Sequence, residues 1–334
     1  MNVKVNNSQN MAPASPYESA ICQQIREETD RKNIDNISRT VAYHHFYREH
    51  PEVKWSFLAA MVSRNAGYNM CDLQSPLFHH LLKEEKRSEL FMTYESANWL
   101  IFHDAFPQLL VYKLSRQNDR PMFHLLDLLS VSSFMRKEWE RFWKEGNEWR
   151  LMQSLIINEQ NIIQKPILNH PVYKKRVFRS GLFFFEDRLH FSSVVFPTIE
   201  GELYGVTSSN FRRLDARIKI GNRLAYILFA PRLYTQFLEY AQMTEHTGSR
   251  RDYEQYQKQQ KIWTPALKIA FPVVEHKIDR TEDWSKQTRI KKNWFKKPSF
   301  KEDIHITDWY DRKRRQLMFL CSIRDFIYTK KARK

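Results

Sequence analysis

Glycine is scarce in this chain. Seven glycines in 334 residues make about 2%, against roughly 7% in an average protein. Few positions can then adopt positive φ without strain, and few tight β-turns can form. A turn-rich all-β fold is disfavoured and long helices are favoured. Cysteine is rare too: Cys22, Cys71 and Cys321 stand far apart, with no C-x-x-C pair. Neither a zinc ribbon nor a redox motif is indicated, and reduced thiols in a cytosolic compartment are the simplest reading. No run approaches the roughly 18 apolar residues of a membrane span. The opening stretch MNVKVNNSQNMAPASP lacks the apolar core of a signal peptide. These absences predict a cytoplasmic protein. The motifs G-x-x-x-x-G-K-[ST], G-x-G-x-x-G and G-x-S-x-G are missing as well, which disfavours a P-loop nucleotidase or an α/β-hydrolase. Active sites without a motif stay open, and nothing in the sequence calls for a cofactor.

What is present is a core-forming composition: 42% hydrophobic and 14% aromatic, enough to exclude disorder over the whole length. The length suits one large or two ordinary domains. The formal charge is +16. Such an excess points to a polyanionic partner, nucleic acid or an anionic membrane surface, or else to a generally basic protein with no such partner. The excess is concentrated late: residues 245–334 hold 23 Lys or Arg against 12 Asp or Glu, a net of +11 of the +16.

Along the chain, residues 1–17 read as a disordered arm carrying Pro13 and Pro16. Helices are expected from Glu18 to Asp30 and from about Asn36 to His50, the second with the stripe Tyr43, Phe46, Tyr47. A third starts near Glu52 and ends at Gly67, the expected left-handed cap. Ser75 followed by Pro76 signals the next start. A helix over Leu77 to Lys86 leads into a long one from Glu89, which Pro107 should kink or restart. Further helices are expected at about 122–131, 134–145 and 148–163, with Gly146 and Asn147 marking the break between the last two. The β-prone runs 182–185 and 192–196 suggest a small hairpin or buried helix. Helical pattern returns at 211–230 and 232–244, and a last helix covers 309–328. The expected fold is mainly α, a single helical domain over 18–330 with a small irregular or β-containing insertion near 180–210 and a basic C-terminal subregion, 245–334.

The stretch RTVAYHHFYREHPEVKWSFLAAMVSRNAGYNMCDL, Arg39 to Leu73, together with LIINEQ, Leu155 to Gln160, and RIKIGNRLAYILF, Arg217 to Phe229, resembles an uncharacterised family of Bacillus-type Gram-positive bacteria catalogued as a domain of unknown function. The resemblance covers about residues 20–325. It implies a cytoplasmic bacterial protein and brings no activity and no catalytic residues.

Four constellations carry candidate chemistry. Arg64, Asn65, Tyr68, Asn69 and Asp72 form a polar corner. A guanidinium beside two amides and a carboxylate can hold a small polar ligand, or Arg64 can pair with Asp72 and the amides can satisfy helix ends. Glu95 and Asn98 share a helix face with Phe91 and Phe102. A carboxyl in such surroundings would have a raised pKa and could act as an acid or base, with His103 and Asp104 near the Pro107 kink. The alternative is a buried hydrogen-bonded pair and an exposed His–Asp end. The run Asn158, Glu159, Gln160, Asn161 covers every face of its helix, so at least one member, Glu159 among them, is expected to look inward toward the corner. The last is the basic–aromatic stretch Trp284 to Lys297 with the Arg312–Arg315 cluster. Lys291, Lys292, Lys296, Lys297, Arg312, Arg314 and Arg315 can neutralise phosphates, and Trp294 can stack on an unpaired base; the same composition also fits a solvated loop pinned by its aromatics. Glu302 and His305 have the spacing of a di-iron helix, but that site needs a second such pair, so no metal is expected. The best reading is a non-catalytic binding protein with a basic surface for a polyanion, nucleic acid ahead of membrane. The alternative is an enzyme with a polar pocket around Arg64, Asp72 and Glu95.

Overall fold

The computed structural model describes residues 15–168, 193–207, 213–258, 263–276, 282–298 and 303–332, with side-chain surroundings to residue 319. Thirteen α-helices and one two-stranded antiparallel sheet lie among the described residues. The mainly α expectation and the β-containing insertion both hold. Among those residues no helix is long and apolar enough to cross a membrane.

Local capping explains most helix starts. α1 (Pro16–Lys32) opens with a reciprocal box in which Ser15 Oγ accepts from the Glu18 N–H and Glu18 Oε2 accepts from the Ser15 N–H. It therefore takes Pro16 and Tyr17 out of the expected arm; residues 1–14 lie outside the described part. α2 (Asn36–Glu49) is capped by Asp35, α4 (Pro76–Leu81) by Ser75, α7 (Ser133–Glu145) by Ser132 and α8 (Glu148–Ile162) by Asn147. Gly146, at φ +65°, ends α7 in the left-handed region as expected.

Gly67 does not act as a cap. α3 runs unbroken over Lys54–Asp72, and every side chain from Trp55 to Asp72 except Val62 is buried. The glycine serves close approach instead. A Cβ there would lie 2.5 Å from Asn36 Oδ1 on α2 and 3.0 Å from the His246 ring. The polar corner is thus two turns of helix. α5 (Glu84–Gln117) likewise passes through Pro107 without restarting. Buried Phe102, Phe106 and Leu109 anchor the proline's own turns in the core, and tertiary packing outweighs local propensity here. The break before α5 falls at Leu82 and Lys83, earlier than expected.

A hairpin joins β1 (Ser193–Pro197) to β2 (Leu203–Thr207), with Val195 opposite Gly205. Residues 304–306 run along β2: Gly205 N–H donates to Ile304 O (2.9 Å) and Ile306 N–H to Leu203 O (2.8 Å). The run 182–185 lies outside the described residues. α6 (Leu125–Leu128), α9 (Leu214–Leu228), α10 (Tyr234–Met243), α11 (Arg251–Glu254), α12 (Leu267–Ala270) and α13 (Thr307–Ala332) complete the set. Leu317 of α13 is buried; the side chains of Leu320, Ile323 and Ile327, which share its apolar pattern, lie outside the described part.

Buried apolar side chains form two clusters that share Ile101 and Phe134 at their margins. The first holds Tyr43, Trp55, Phe57 and Phe102, with Tyr43 edge-on to Trp55 at 5.4 Å and Tyr47 stacked on Phe57 at 4.9 Å. The second holds Met70, Phe91, Ile157, Ile163, Trp284 and Trp294. α3 contributes to both, which fits its all-round burial. Gly67→Ala is expected to lower stability by about 2 kcal/mol or more, since the added methyl displaces Asn36 from His246; denaturant unfolding measures it, and a change below about 0.5 kcal/mol would rule out the close-approach role.

Candidate functional site

The polar turns of α3 find their partners far away in sequence. Arg64 donates from Nη2 to Thr244 O (2.9 Å) and sits over the Tyr240 ring. Tyr68 and Tyr240 share a hydroxyl–hydroxyl bond of 2.8 Å. Asp72 does not meet Arg64. Its Oδ2 accepts from Arg250 Nε at 2.6 Å, and Asn69 Oδ1 accepts from Arg250 Nη2 at 2.9 Å. Arg250 Nη1 also donates to the Tyr253 hydroxyl, which donates to Tyr310 (both 3.1 Å). Burial opposes the charge on Arg250, but Asp72, Tyr253 and Tyr310 outweigh it and hold the guanidinium well above its ordinary pKa. Beside them Arg314 pairs with Glu254 at 3.0 Å, both buried.

Glu95 is also an ion-pair partner. Burial alone would raise its carboxyl, but His276, 3.5 Å away, and Arg39, 2.5 Å away, together bring it below the ordinary range. The carboxyl is thus lowered where a raised pKa was expected, because His276 and Arg39, both distant in sequence, outweigh the burial. His276 and His103 both stack on Trp99, at 5.1 and 4.8 Å. Asp104 is buried and not at an exposed end: its Oδ2 accepts from Gln108 (2.7 Å) and Asn158 (2.5 Å).

One cavity gathers several of the remaining candidates. It has a volume of about 230 Å³ and lies between α2, α3, α5, α8 and α9. Each helix presents one face: Arg39 and Tyr43 from α2, Leu58, Val62, Asn65 and Asn69 from α3, Tyr94, Asn98 and Ile101 from α5, Glu159 and Gln160 from α8 with Ile163 at its C-terminal cap, and Arg217, Ile220 and Leu224 from α9. The spacing i, i+3, i+4, i+7 recurs, as one face of a helix requires. Gly221 lets α9 approach α8: a Cβ there would lie 2.6 Å from Ile156 Cγ2. Of the sequence candidates, Asn65, Asn69, Asn98 and Glu159 line this space. Arg64, Tyr68, Asp72 and Glu95 do not, being taken up in the contacts above. Gln160, from the same 158–161 run as Glu159, lines it too, whereas Arg39, Tyr43 and Arg217 were missed. The available signal was a polar side chain at i, i+4 from apolar ones on a helix face.

Within the cavity wall, Asn65 is tied to β1, accepting from the Val195 N–H at 3.0 Å. Arg217 donates to Gln160 Oε1 (2.8 Å), Gln160 O (3.0 Å) and Gln164 Oε1 (2.5 Å), and burial brings its pKa down to about 10. Glu159 accepts from Trp55 Nε1 at 3.2 Å and from Gln160 Nε2 at 3.0 Å. It is half-buried, with part of its surface open to the cavity. Burial pushes its carboxyl up to about 7, only partly countered by Gln160 and Trp55.

The basic stretch is differently disposed. Lys291 pairs with both oxygens of Asp215 (2.8 and 2.9 Å). Trp294 is buried, donates from Nε1 to Asp215 at 2.7 Å, and its carbonyl accepts from Asn222 at 2.8 Å. It is a core anchor and not a stacking platform. Arg314 is buried against Glu254. Lys292, Lys296, Lys297, Arg312 and Arg315 are exposed. Among the described residues no group of three His, Cys, Asp or Glu could hold a metal ion.

The sequence pattern of the family described as "Protein of unknown function (DUF2515)" matches residues 31–311. This chain belongs to that family. The uncharacterized protein YppC of Bacillus subtilis (strain 168) is 44% identical over 308 residues, 92% of this chain and 96% of its own length. No solved structure matches. The residues named above as lining the cavity all fall inside the DUF2515 match, whereas Arg312, Arg314 and Arg315 lie just past its end.

Two outcomes test these assignments. Asp72→Asn leaves Arg250 buried without its counter-charge and should cost about 3 kcal/mol of stability, read from denaturant midpoints. Glu159, with its folded pKa raised from 4.5 to about 7, contributes fully to stability below the unfolded value and loses that contribution as pH rises through the folded one. Glu159→Gln should therefore gain on the wild type by about 1–2 kcal/mol between about pH 5 and pH 8, after allowance for partial exposure; parallel pH profiles would contradict the raised pKa.

Proposed function

We propose that this protein is a binding protein whose ligand is a small, largely apolar molecule held in the cavity between α2, α3, α5, α8 and α9. The observation that carries this reading is the Glu159 carboxyl, pushed up to about 7 in the wall of a mainly apolar cavity, with amides of Asn69, Asn98 and Gln160 around the same space. An apolar pocket with a few convergent polar groups and a perturbed acid is the arrangement by which small-molecule sites are recognised. The enzymatic alternative around Arg64, Asp72 and Glu95 loses its support, because Asp72 and Glu95 are neutralised by arginines and Arg64 is bound to a carbonyl. The cytoplasmic location expected from the sequence belongs to this proposal.

A second reading concerns the surface. Lys292, Lys296 and Lys297 are exposed around the short 3-10 turn Lys292–Phe295, and Arg312 and Arg315 are exposed on α13. They support contact with a polyanion, nucleic acid ahead of an anionic membrane, through phosphate charge alone now that Trp294 is buried.

Titration with 1-octanol, a neutral apolar probe, tests the cavity. Saturable binding should raise the melting temperature, and Ala97→Phe, which fills the cavity from α5, should abolish the effect while the protein stays folded by circular dichroism. No shift with the wild type, or equal binding by the variant, would sink the reading. For the surface, single-stranded DNA binding should fall steeply with salt, and replacing Lys292, Lys296 and Lys297 by Gln should reduce the salt slope by about 2; absence of binding to DNA and to anionic vesicles at low salt removes the second reading.

A further inference from the structure

We infer that the cavity ligand carries one protonated amine on an apolar body, and that the Glu159 carboxylate is the group that recognises it. The inference rests on the cavity reading above and specifies its chemistry. Glu159 receives one hydrogen bond on each oxygen, from Gln160 Nε2 on Oε1 and from Trp55 Nε1 on Oε2. Both donors are neutral, and each oxygen keeps a second lone pair. Two N–H groups aimed at the two oxygens prearrange the site for the ionised form. Yet among the described residues no cation pairs with it. A buried carboxylate without a counter-charge is held at a steep desolvation penalty. A ligand ammonium removes that penalty and finds two open acceptor positions.

The nearby charges are consistent with this assignment. Arg39, on α2, is matched by Glu95 of α5 at 2.5 Å and donates a second bond to Asn33. Arg217, on α9, is bound to Gln160 and Gln164. Tyr43 of α2 and Tyr94 and Asp104 of α5 are further titratable groups on this side, Tyr43 with its hydroxyl pKa raised well above the ordinary value by burial and Asp104 hydrogen-bonded to Asn158. α3 contributes the Trp55 indole and amides. Arg39 is matched by Glu95 behind the lining, and among the described residues Glu159 is the one carboxyl that lines the cavity. Val62, Ile101, Ile163 and Ile220 supply the apolar surface for the ligand body.

Octylamine, 1-octanol and octanoate have equal length and differ only in the head group, so they separate the possibilities. Calorimetric titration of the full chain should show octylamine binding at least about tenfold tighter than octanol at about pH 8. The advantage should shrink at about pH 6, where Glu159 takes up a proton before the amine can bind. Glu159→Gln should bring octylamine to the affinity that octanol shows for the same variant. Octanoate as the tightest ligand, octylamine no better than octanol, or an amine advantage that survives in Glu159→Gln would each overturn the inference while octanol binding keeps the cavity reading intact. Binding of none of the three overturns both. If Glu159→Gln fails to fold by circular dichroism, the comparison of the three ligands at the two pH values on the wild type decides the matter alone.

Discussion

A helix buried on nearly every side must find internal partners for whatever polar groups it carries. α3 is such a helix, and its last two turns carry Arg64, Asn65, Tyr68, Asn69 and Asp72. An unpaired charge at that depth would cost several kcal/mol. The chain meets the constraint by bringing Arg250, from 178 residues further on, onto Asp72 and Asn69, and Tyr240 onto Tyr68. Arg250 in turn engages Tyr253 and, through it, Tyr310 of α13. The ion pair therefore ties the last third of the protein to the first helices. Gly67 permits a similar closeness to α2, where Asn36 meets His246 beside α3.

Charge pairing of this kind recurs through the interior. Arg39 with Glu95, Arg314 with Glu254 and Arg150 with Glu138 all place an arginine on a carboxylate that is itself buried. Arginine suits the task, since its charge persists and its planar fork fills several acceptor directions at once. Against this background Glu159 stands apart. Its partners are an indole and an amide, and its carboxyl titrates near neutrality. The contrast between saturated ion pairs around α3 and one unsaturated carboxyl in the cavity wall separates architecture from recognition in this molecule.

Local signals in the sequence were legible where one or two residues decide the backbone. Ser75 with Pro76, and Gly146 with Asn147, act as the helix boundaries that their chemistry implies. Helical periodicity located α2, α7 and α8 to within a few residues. Gly67 and Pro107 misled for one reason: both are breakers by local rule, and both sit in helices held by packing on all sides. The candidate site was partly legible. The run from Asn158 to Asn161 had to present some member inward, and Glu159 and Gln160 do line the cavity beside Asn65 and Asn69. Arg39 and Arg217 were not legible as lining residues, because nothing in one helix says which side its neighbours occupy.

The sequence alone determined the helical class, through scarce glycine and the 3.6-residue apolar period, and the family, through the stretches around Arg39–Leu73 and Arg217–Phe229. It also determined that the surplus charge is positive and sits late in the chain. Which charges are paired was decided only by the tertiary structure. Whether Asp72 meets Arg64 or Arg250, whether Glu95 is raised or lowered, and whether Trp294 is offered or buried all depend on segments 50 to 180 residues apart meeting at distances near 3 Å. Composition and periodicity act within a few turns of chain; desolvation and ion pairing act through space.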